Sequence, residues 1–590
     1  MGIYLRTAIS TAIWNAKYRR SGSDGVRDGG IEATWKRVAR ALAAAEPANR
    51  EDWARRFYAT LEDFRFLPGG RILAGAGTGD RVTLFNCFVM GTIDDSLDGI
   101  FDALKEGALT MQQGGGVGYD FSTLRPAGER AQSTGTIASG PVSFMRIWDA
   151  MCATILSTGA RRGAMMATLR CDHPDIEAFI AAKRDLHELR HFNLSVLVTD
   201  DFMHAVQSDA EWPLAFPPSG EAGGGPVVSR SVKARALWQT MMRANYDYAE
   251  PGVIFIDRVR RLDNLGYCER ISATNPCGEI PLPPYGACDL GSINLTRFVR
   301  QPFSAQAAVD FEGIAAIAAV ATRMLDNVYE ISQFPLPQQR AVAHASRRIG
   351  LGITGLADAL VMLGIEYGTP RSLDVAAGIM RTICHAAYRA SAALAREKGV
   401  FKLFQSEQYV GGEFARALPD DIRDAIRRDG LRNSHLTAIA PAGTISLLAG
   451  NVSSGLEPVY AADCLRNVRL GDDTVQSFQV ADDACARYRE LTGSVALPPA
   501  FVAAKDIGAR AHLAMQAALQ PYVDNAISKT INVREDADFK AFCSLYEEAY
   551  ALGLKGCTTF RPNAVTGSVL QSRIMAEAPA HCCSIEREAD

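Results

Sequence analysis

Between about residues 80 and 565, short apolar runs alternate with longer stretches of helical periodicity. Such alternation argues for an α/β architecture in which loops at strand ends carry the chemistry. Segments 191–198 and 436–440 read as strands, and 306–332 and 373–397 as long helices. Ahead of them, residues 34–64 read as two amphipathic helices, because Trp35, Val38 and Leu42, then Trp53, Phe57 and Leu61, recur at helical spacing. A turn at Pro68-Gly69-Gly70 ends that region. At 590 residues the chain exceeds the usual range of one core, so several domains or one large decorated barrel are expected. The expected division is a helical region over 1–79, an α/β catalytic unit over 80–565 and a polar tail over 566–590.

Lys plus Arg total 62 against 66 Asp plus Glu, and the net charge of −4 gives no bulk attraction to nucleic-acid phosphates. A nucleic-acid partner is therefore not expected. No long apolar run of membrane-spanning length occurs, and the start Met1-Gly2-Ile3-Tyr4-Leu5-Arg6 lacks the order of a secretion signal. The expectation is a cytoplasmic protein with no membrane segment. Thirteen cysteines spread over so long a chain do not resemble the disulfide framework of a small secreted domain. Cys152, Cys384, Cys485 and Cys543 lie in apolar helical contexts and read as buried small hydrophobes. No C-x-x-C pair is present, so no structural zinc is expected and no metal-ligating residues are assigned. Cys87, Cys277, Cys288, Cys582 and Cys583 remain to be explained.

The segment Asn275-Pro276-Cys277-Gly278-Glu279-Ile280-Pro281-Leu282 places a carboxamide, a thiol and a carboxylate at alternate positions, and Cys288 follows eleven residues after Cys277. In an extended segment such side chains share one face, so the three would converge on one substrate. Pro276 and Pro281 suit a non-helical finger loop. A thiol able to carry a hydrogen atom, beside a carboxylate able to take a proton, suits one-electron chemistry.

Segment 439–446 begins as a strand and ends in small and hydroxyl residues before an apolar helical run. Unpaired N–H groups at such a helix start can hold a phosphate, and an ordinary strand-to-helix connection is the alternative. The glycine-rich stretch 112–120 lets backbone approach a ligand closely, or forms a tight turn; it does not match the dinucleotide fingerprint. Cys87, in Phe85-Asn86-Cys87-Phe88, has the setting of a buried strand cysteine. Cys582 and Cys583 lie close to the polar terminus with no core to bury them. The 20 residues from Pro562 to Cys582 have a coil reach of about 25 Å, enough to visit a buried disulfide.

Taken in order, Asn-Pro-Cys-Gly-Glu, the cysteine eleven residues on, the Phe-Asn-Cys strand, Arg348-Ile349-Gly350-Leu351-Gly352-Ile353-Thr354-Gly355-Leu356-Ala357-Asp358, and Pro-Ala-Gly-Thr-Ile-Ser with Gly455-Leu456-Glu457-Pro458 resemble ribonucleotide reductase over roughly 64–565. That resemblance implies a ten-stranded α/β barrel of two five-stranded halves, with the finger loop inside. It implies a thiyl radical on Cys277 that removes the substrate's 3′-hydrogen, Glu279 as acceptor of the 3′-hydroxyl proton, and Asn275 holding both in register. Cys87 and Cys288 would then expel the 2′-hydroxyl as water and end as a disulfide. Matching positions imply substrate contacts at Gly70, Asn86, Cys87, Gly115, the loop Asn275, Pro276, Cys277, Gly278 and Glu279, and, around the phosphates, Pro441, Ala442, Gly443, Thr444 and Ile445. Gly70 stands where many relatives have serine, so that contact could only be through backbone.

A specificity-effector site for deoxyribonucleotides or ATP would begin near Asp94 and use the loop near Arg125, with 157–166 relaying effector identity to the base. The alternative is a solvated arginine loop. Relatives activated by a separate metal subunit carry a tyrosine pair near the barrel's end, but here 554–562 reads Leu-Lys-Gly-Cys-Thr-Thr-Phe-Arg-Pro. That pattern is similar to the adenosylcobalamin-dependent class, which implies adenosylcobalamin as cofactor, ribonucleotide (expected as diphosphate) as substrate, thioredoxin or a similar reductant, and a homodimer. The short amino terminus leaves no room for the usual ATP cone, so overall on/off control is not expected. The vicinal Cys582-Cys583 pair closes a disulfide only through a strained ring, which makes it a poorer reductant, so direct reduction by thioredoxin stays open. Two other readings remain: a reductase activated by a metal subunit, and a catalytically silent nucleotide-binding or disulfide-handling protein on the same barrel.

Overall fold

The computed structural model describes residues 4–20, 27–129, 137–157, 161–185, 187–217, 227–469 and 475–563. Helices Ile31–Ala43 and Arg50–Leu61 form where the tryptophan spacing predicts them, with Trp35, Val38, Leu42, Phe57 and Leu61 all buried. The ring of Trp35 is met edge-on by Tyr4 and Phe64, at centroid distances of 4.9 and 5.0 Å. The expected long helices are Phe311–Ile331 and Pro370–Lys398. Asp310 caps the first by accepting from Gly313 N at 3.2 Å, and Thr369 followed by Pro370 starts the second. They pack together outside the sheet.

The first half of the barrel is five parallel strands in spatial order: Cys87–Val89, Gly116–Asp120, Met165–Arg170, Phe192–Val198 and Gly252–Phe255. Their nearly unbroken burial is what a parallel sheet covered on both faces requires. In the second half, Ala287–Asn294 runs parallel to Ile349–Thr354, and Thr530–Asn532 parallel to Gly556–Phe560. The halves meet antiparallel at two seams, where Cys288 stands opposite Cys87 and Cys557 opposite Val253. Phe66–Pro68 adds a short antiparallel strand on Ala287–Asn294, which completes a ten-stranded sheet.

The sheet is not one continuous ladder. Between Ile349–Thr354 and Thr530–Asn532 runs the segment expected as a strand at 436–440, extended but joined on each side by a single bridge. Leu351 N–H bonds Leu436 O at 2.8 Å on one side, and Ile439 N–H bonds Ala526 O at 3.2 Å on the other. The cause is Asp524, whose carboxylate takes the N–H groups of Leu436 and Thr437, both at 2.8 Å. A ladder would need those donors. Cys152, Cys384 and Cys485 are buried as expected, whereas Cys543 is only half-buried on the outer helix Phe539–Ala551. Among the described residues no helix is long and apolar enough to cross a membrane.

Candidate active site

The segment bearing Cys277 is a tight turn rather than an extended strand. Ala273–Thr274 pairs antiparallel with Pro281–Leu282, and Gly278 N–H closes back on Asn275 O at 3.1 Å. Asn275 locks the base of the turn, its N–H donating to Ile280 O at 3.2 Å and its Oδ1 accepting from Ile280 N at 3.0 Å. Convergence thus comes from the turn and not from strand alternation. Gly278, at φ +85, supplies the left-handed residue that the tip needs, and a Cβ there would meet nothing within 4 Å. Cys277, half-buried, sits on this tip.

Behind the tip the polar side chains close on one another. Asn275 Nδ2 donates to Glu279 Oε1 at 2.9 Å and to Cys87 Sγ at 3.2 Å, and the Cys87 thiol lies 3.9 Å from the same carboxylate oxygen. Cys87 and Cys288 are fully buried and directly opposed. Burial pushes the Cys87 thiol well above its ordinary value, and the charges of Glu279, Cys288 and Cys277 push it further. Cys288 is raised by burial and then by Asp289. Burial also lifts Glu279 to about 7, against the lowering effect of its hydrogen bonds from Asn275 and Cys87. Its second oxygen, Oε2, is buried without a partner among the described residues. A carboxylate poised near neutrality beside protonated thiols can accept a proton and be repaid by one.

Models of two domains match the chain: the ribonucleotide reductase all-alpha domain over residues 4–81 and the ribonucleotide reductase barrel domain over 85–560. The chain belongs to the ribonucleotide reductase family. The vitamin B12-dependent ribonucleoside-diphosphate reductase of Mycobacterium tuberculosis is 40% identical, over 91% of this chain and 76% of the relative. A protein of the same name from Thermoplasma acidophilum is 35% identical, over 88% of this chain and 66% of its own. The ribonucleoside-diphosphate reductase subunit alpha of Chlamydia pneumoniae is 25% identical, over 90% of this chain and 57% of its own.

The remaining expected residues of this reductase divide by place. Asn86 is buried with both amide atoms unpartnered among the described residues, so it has capacity for a ligand. Gly69, whose Cβ would lie 2.7 Å from Asn86 Oδ1, makes room for it, and Gly70 begins the helix Gly70–Gly75 beside it. Pro441 borders two adjoining cavities. One, of about 140 Å³, is lined by Pro276, Cys277, Gly278, Lys529 and Thr558. The other, of about 700 Å³, shares Pro441, Ser528 and Thr530 with it and takes in Gly443 and Ser446. Ala442 stands at the start of the short helix Gly443–Leu448, which carries Thr444 and Ile445.

Two glycines of the glycine-rich stretch pack against the finger turn. A Cβ on Gly118 would lie 1.7 Å from Thr274 O, and one on Gly116 would lie 3.1 Å from Pro276 Cγ, so these glycines seat the finger turn. Gly115 packs instead against Phe88, 2.7 Å from a would-be Cβ. Asp94 is exposed just before the helix Leu97–Gln112, and Arg125 bonds Asp95 at 2.7 Å. Residues 158–160 of the expected relay loop, and Cys582 and Cys583, lie outside the described residues. Sequence reasoning missed Asn193, whose Nδ2 holds Pro276 O at 2.7 Å. Its signal was a carboxamide inside an apolar strand run.

Proposed function

We propose that this reductase converts ribonucleoside diphosphates to 2′-deoxyribonucleotides through a radical on the Cys277 sulfur. The observation that carries the reading is the closed cluster of Asn275, Glu279, Cys87 and Cys288 behind the turn tip. Cys277 takes the 3′-hydrogen atom, and Glu279 takes the 3′-hydroxyl proton while Asn275 holds its carboxylate. One thiol of the Cys87 and Cys288 pair protonates the departing 2′-hydroxyl, which leaves as water. The pair gives up two electrons and two hydrogens in total and closes as a disulfide, and the 3′-hydrogen returns from Cys277. The balance is ribonucleotide plus dithiol to deoxyribonucleotide, disulfide and water. Asn86 and Gly115 would line the sugar, Gly70 would contribute backbone, and 441–445 would hold the phosphates. The diphosphate assignment rests on the names of the relatives.

Adenosylcobalamin is the proposed radical source. Thr558 and Thr559 occupy the segment where subunit-activated relatives carry tyrosines, and Thr558 lines the cavity beside Cys277. The chain fits such a group: that cavity adjoins the 700 Å³ one, and Gln516, whose buried Oε1 is unpartnered among the described residues, lines it. Gln516, Thr558 and Ser528 would hold the cofactor. When bound, the cofactor supplies an odd electron by homolysis of its cobalt–carbon bond. Cys277 is half-buried on the turn tip, and bound substrate and cofactor would shield its sulfur from water and oxidant.

The reductase is further proposed to be cytoplasmic, to be re-reduced by thioredoxin directly or through Cys582 and Cys583, and to act as a homodimer. The dimer reading draws on Leu97, Phe101, Leu109 and Ile147, apolar side chains exposed on helices Leu97–Gln112 and Pro141–Thr154. Effector binding near Asp94 and Arg125 would adjoin that face. The deciding assay gives purified chain adenosylcobalamin, dithiothreitol and cytidine diphosphate. Deoxycytidine diphosphate is expected; turnover obtained only with an added iron or manganese subunit would replace this reading.

A further inference from the structure

Lys17 and Thr444 are 427 residues apart, yet the lysine ammonium donates to the threonine hydroxyl at 3.3 Å. The lysine comes from a π-helical turn, Trp14–Tyr18, closed by Arg19 N–H on Trp14 O at 2.8 Å. Such turns are rare and recur at functional sites. This one buries Trp14 and Tyr18 while Lys17 stays half-buried between them. Trp14 Nε1 donates to Thr34 Oγ1 at 3.0 Å, and Arg37 Nη2 to Tyr18 O at 3.2 Å, so the turn is locked on helix Ile31–Ala43. Two turns earlier, Ser10 Oγ donates to Leu447 O at 2.9 Å in full burial. The amino-terminal segment therefore clasps the short helix Gly443–Leu448 near both of its ends.

That helix carries the stretch proposed to hold the substrate phosphates. Residues 441–451 contain no lysine or arginine. Neutral N–H and hydroxyl donors alone would leave the charge of a diphosphate uncompensated, whereas an ammonium makes charge-assisted hydrogen bonds to phosphate oxygen. Lys529 lines the cavity at Pro441 but its ammonium is engaged by Glu457, His512 and Thr530 O, so Lys17 brings a further cation to Thr444 from another domain. We propose that Lys17 is a substrate-binding residue whose ammonium takes a phosphate of the ribonucleoside diphosphate, so that the all-alpha domain completes the active site. This rests on the proposed place of the phosphates on 441–445.

Equilibrium binding of cytidine diphosphate to the full chain, without cobalamin, separates the two ideas. Wild type is expected to bind; Lys17→Gln is expected to bind about ten- to a hundredfold more weakly. Lys17→Arg is expected to recover most of that loss, and added salt to shrink the gap between wild type and Lys17→Gln. In turnover, KM should rise with little change in kcat. Melting temperatures of the variants show whether each is folded, and a folded Lys17→Gln that binds like wild type overturns the role of Lys17 alone. Failure of wild type to bind any ribonucleoside diphosphate overturns the phosphate site itself and Lys17 with it.

Discussion

Cys87 and Cys288 are directly opposed across the antiparallel seam that joins the two halves of the barrel. Opposed residues in such a pair have Cα atoms about 4.5–5.5 Å apart, inside the roughly 4.4–6.8 Å that a disulfide spans. Closing the bond therefore asks for side-chain rotation and not for movement of the halves. Burial keeps both thiols protonated, so each electron leaves with its proton available.

A first expectation follows for the oxidised product. Enzyme turned over with cofactor and substrate but no external reductant should give a burst limited to its own thiols, and peptide mapping should then find Cys87 joined to Cys288. Cys87→Ser or Cys288→Ser should lower multiple turnover by at least ~10³-fold. Normal steady-state rates in either variant would remove that residue from the redox pair.

Cys277 has a different signature. It stands half-buried on the turn tip beside the cavity, whose other thiol, Cys557, is buried in the seam strand opposite Val253. Cys277→Ala should lose turnover by more than ~10⁴-fold while the affinity for cytidine diphosphate stays within about threefold. Paired turnover and equilibrium-binding measurements check this, and retained turnover would defeat the assignment.

Much of this was legible in the chain itself. The tryptophan spacing gave Ile31–Ala43 and Arg50–Leu61 because helical periodicity is a local signal. Segment 436–440 read as a strand on composition, but Asp524, far along the chain, takes its donors. The identities of Asn275, Cys277 and Glu279 were legible, whereas the turn that gathers them depends on contacts across it. Asn193 and Lys17 were not found, since each reaches its partner over a separation that no local pattern encodes.

Glu279 sets a pH dependence. As a base it must be ionised, so kcat/KM should rise with pH through about 7. The sign for stability is opposite: with the folded value raised from 4.5 to about 7, the stability it contributes is full below the lower value and is lost as pH rises through the upper. Glu279→Gln should abolish turnover yet gain on wild type by on the order of 3 kcal/mol between pH 4 and 8. Denaturant melts at both pH values test it, and a pH-independent difference would refute the buried, ionising carboxylate.

Asn275→Ala tests the same carboxylate from its partner's side. The amide's bond to Glu279 Oε1 lowers the Glu279 value, so its loss should move the acid limb of the rate profile upward. A pH profile of residual activity reads the shift. An unmoved limb would mean that Asn275 does not hold the carboxylate.

Gly118→Ala reaches the finger turn by sterics alone. The added Cβ would lie 1.7 Å from Thr274 O, a backbone atom that cannot swing aside like a flexible side chain. Either the Gly116–Asp120 strand or the turn must shift, and overpacking of this kind costs about 1–3 kcal/mol or more. A misplacement of about 1 Å in the turn costs on the order of 10²-fold in rate. Gly29→Ala, where a Cβ meets nothing within 4 Å, is the matched control. Wild-type turnover and melting in Gly118→Ala would show that the turn does not rest on this strand.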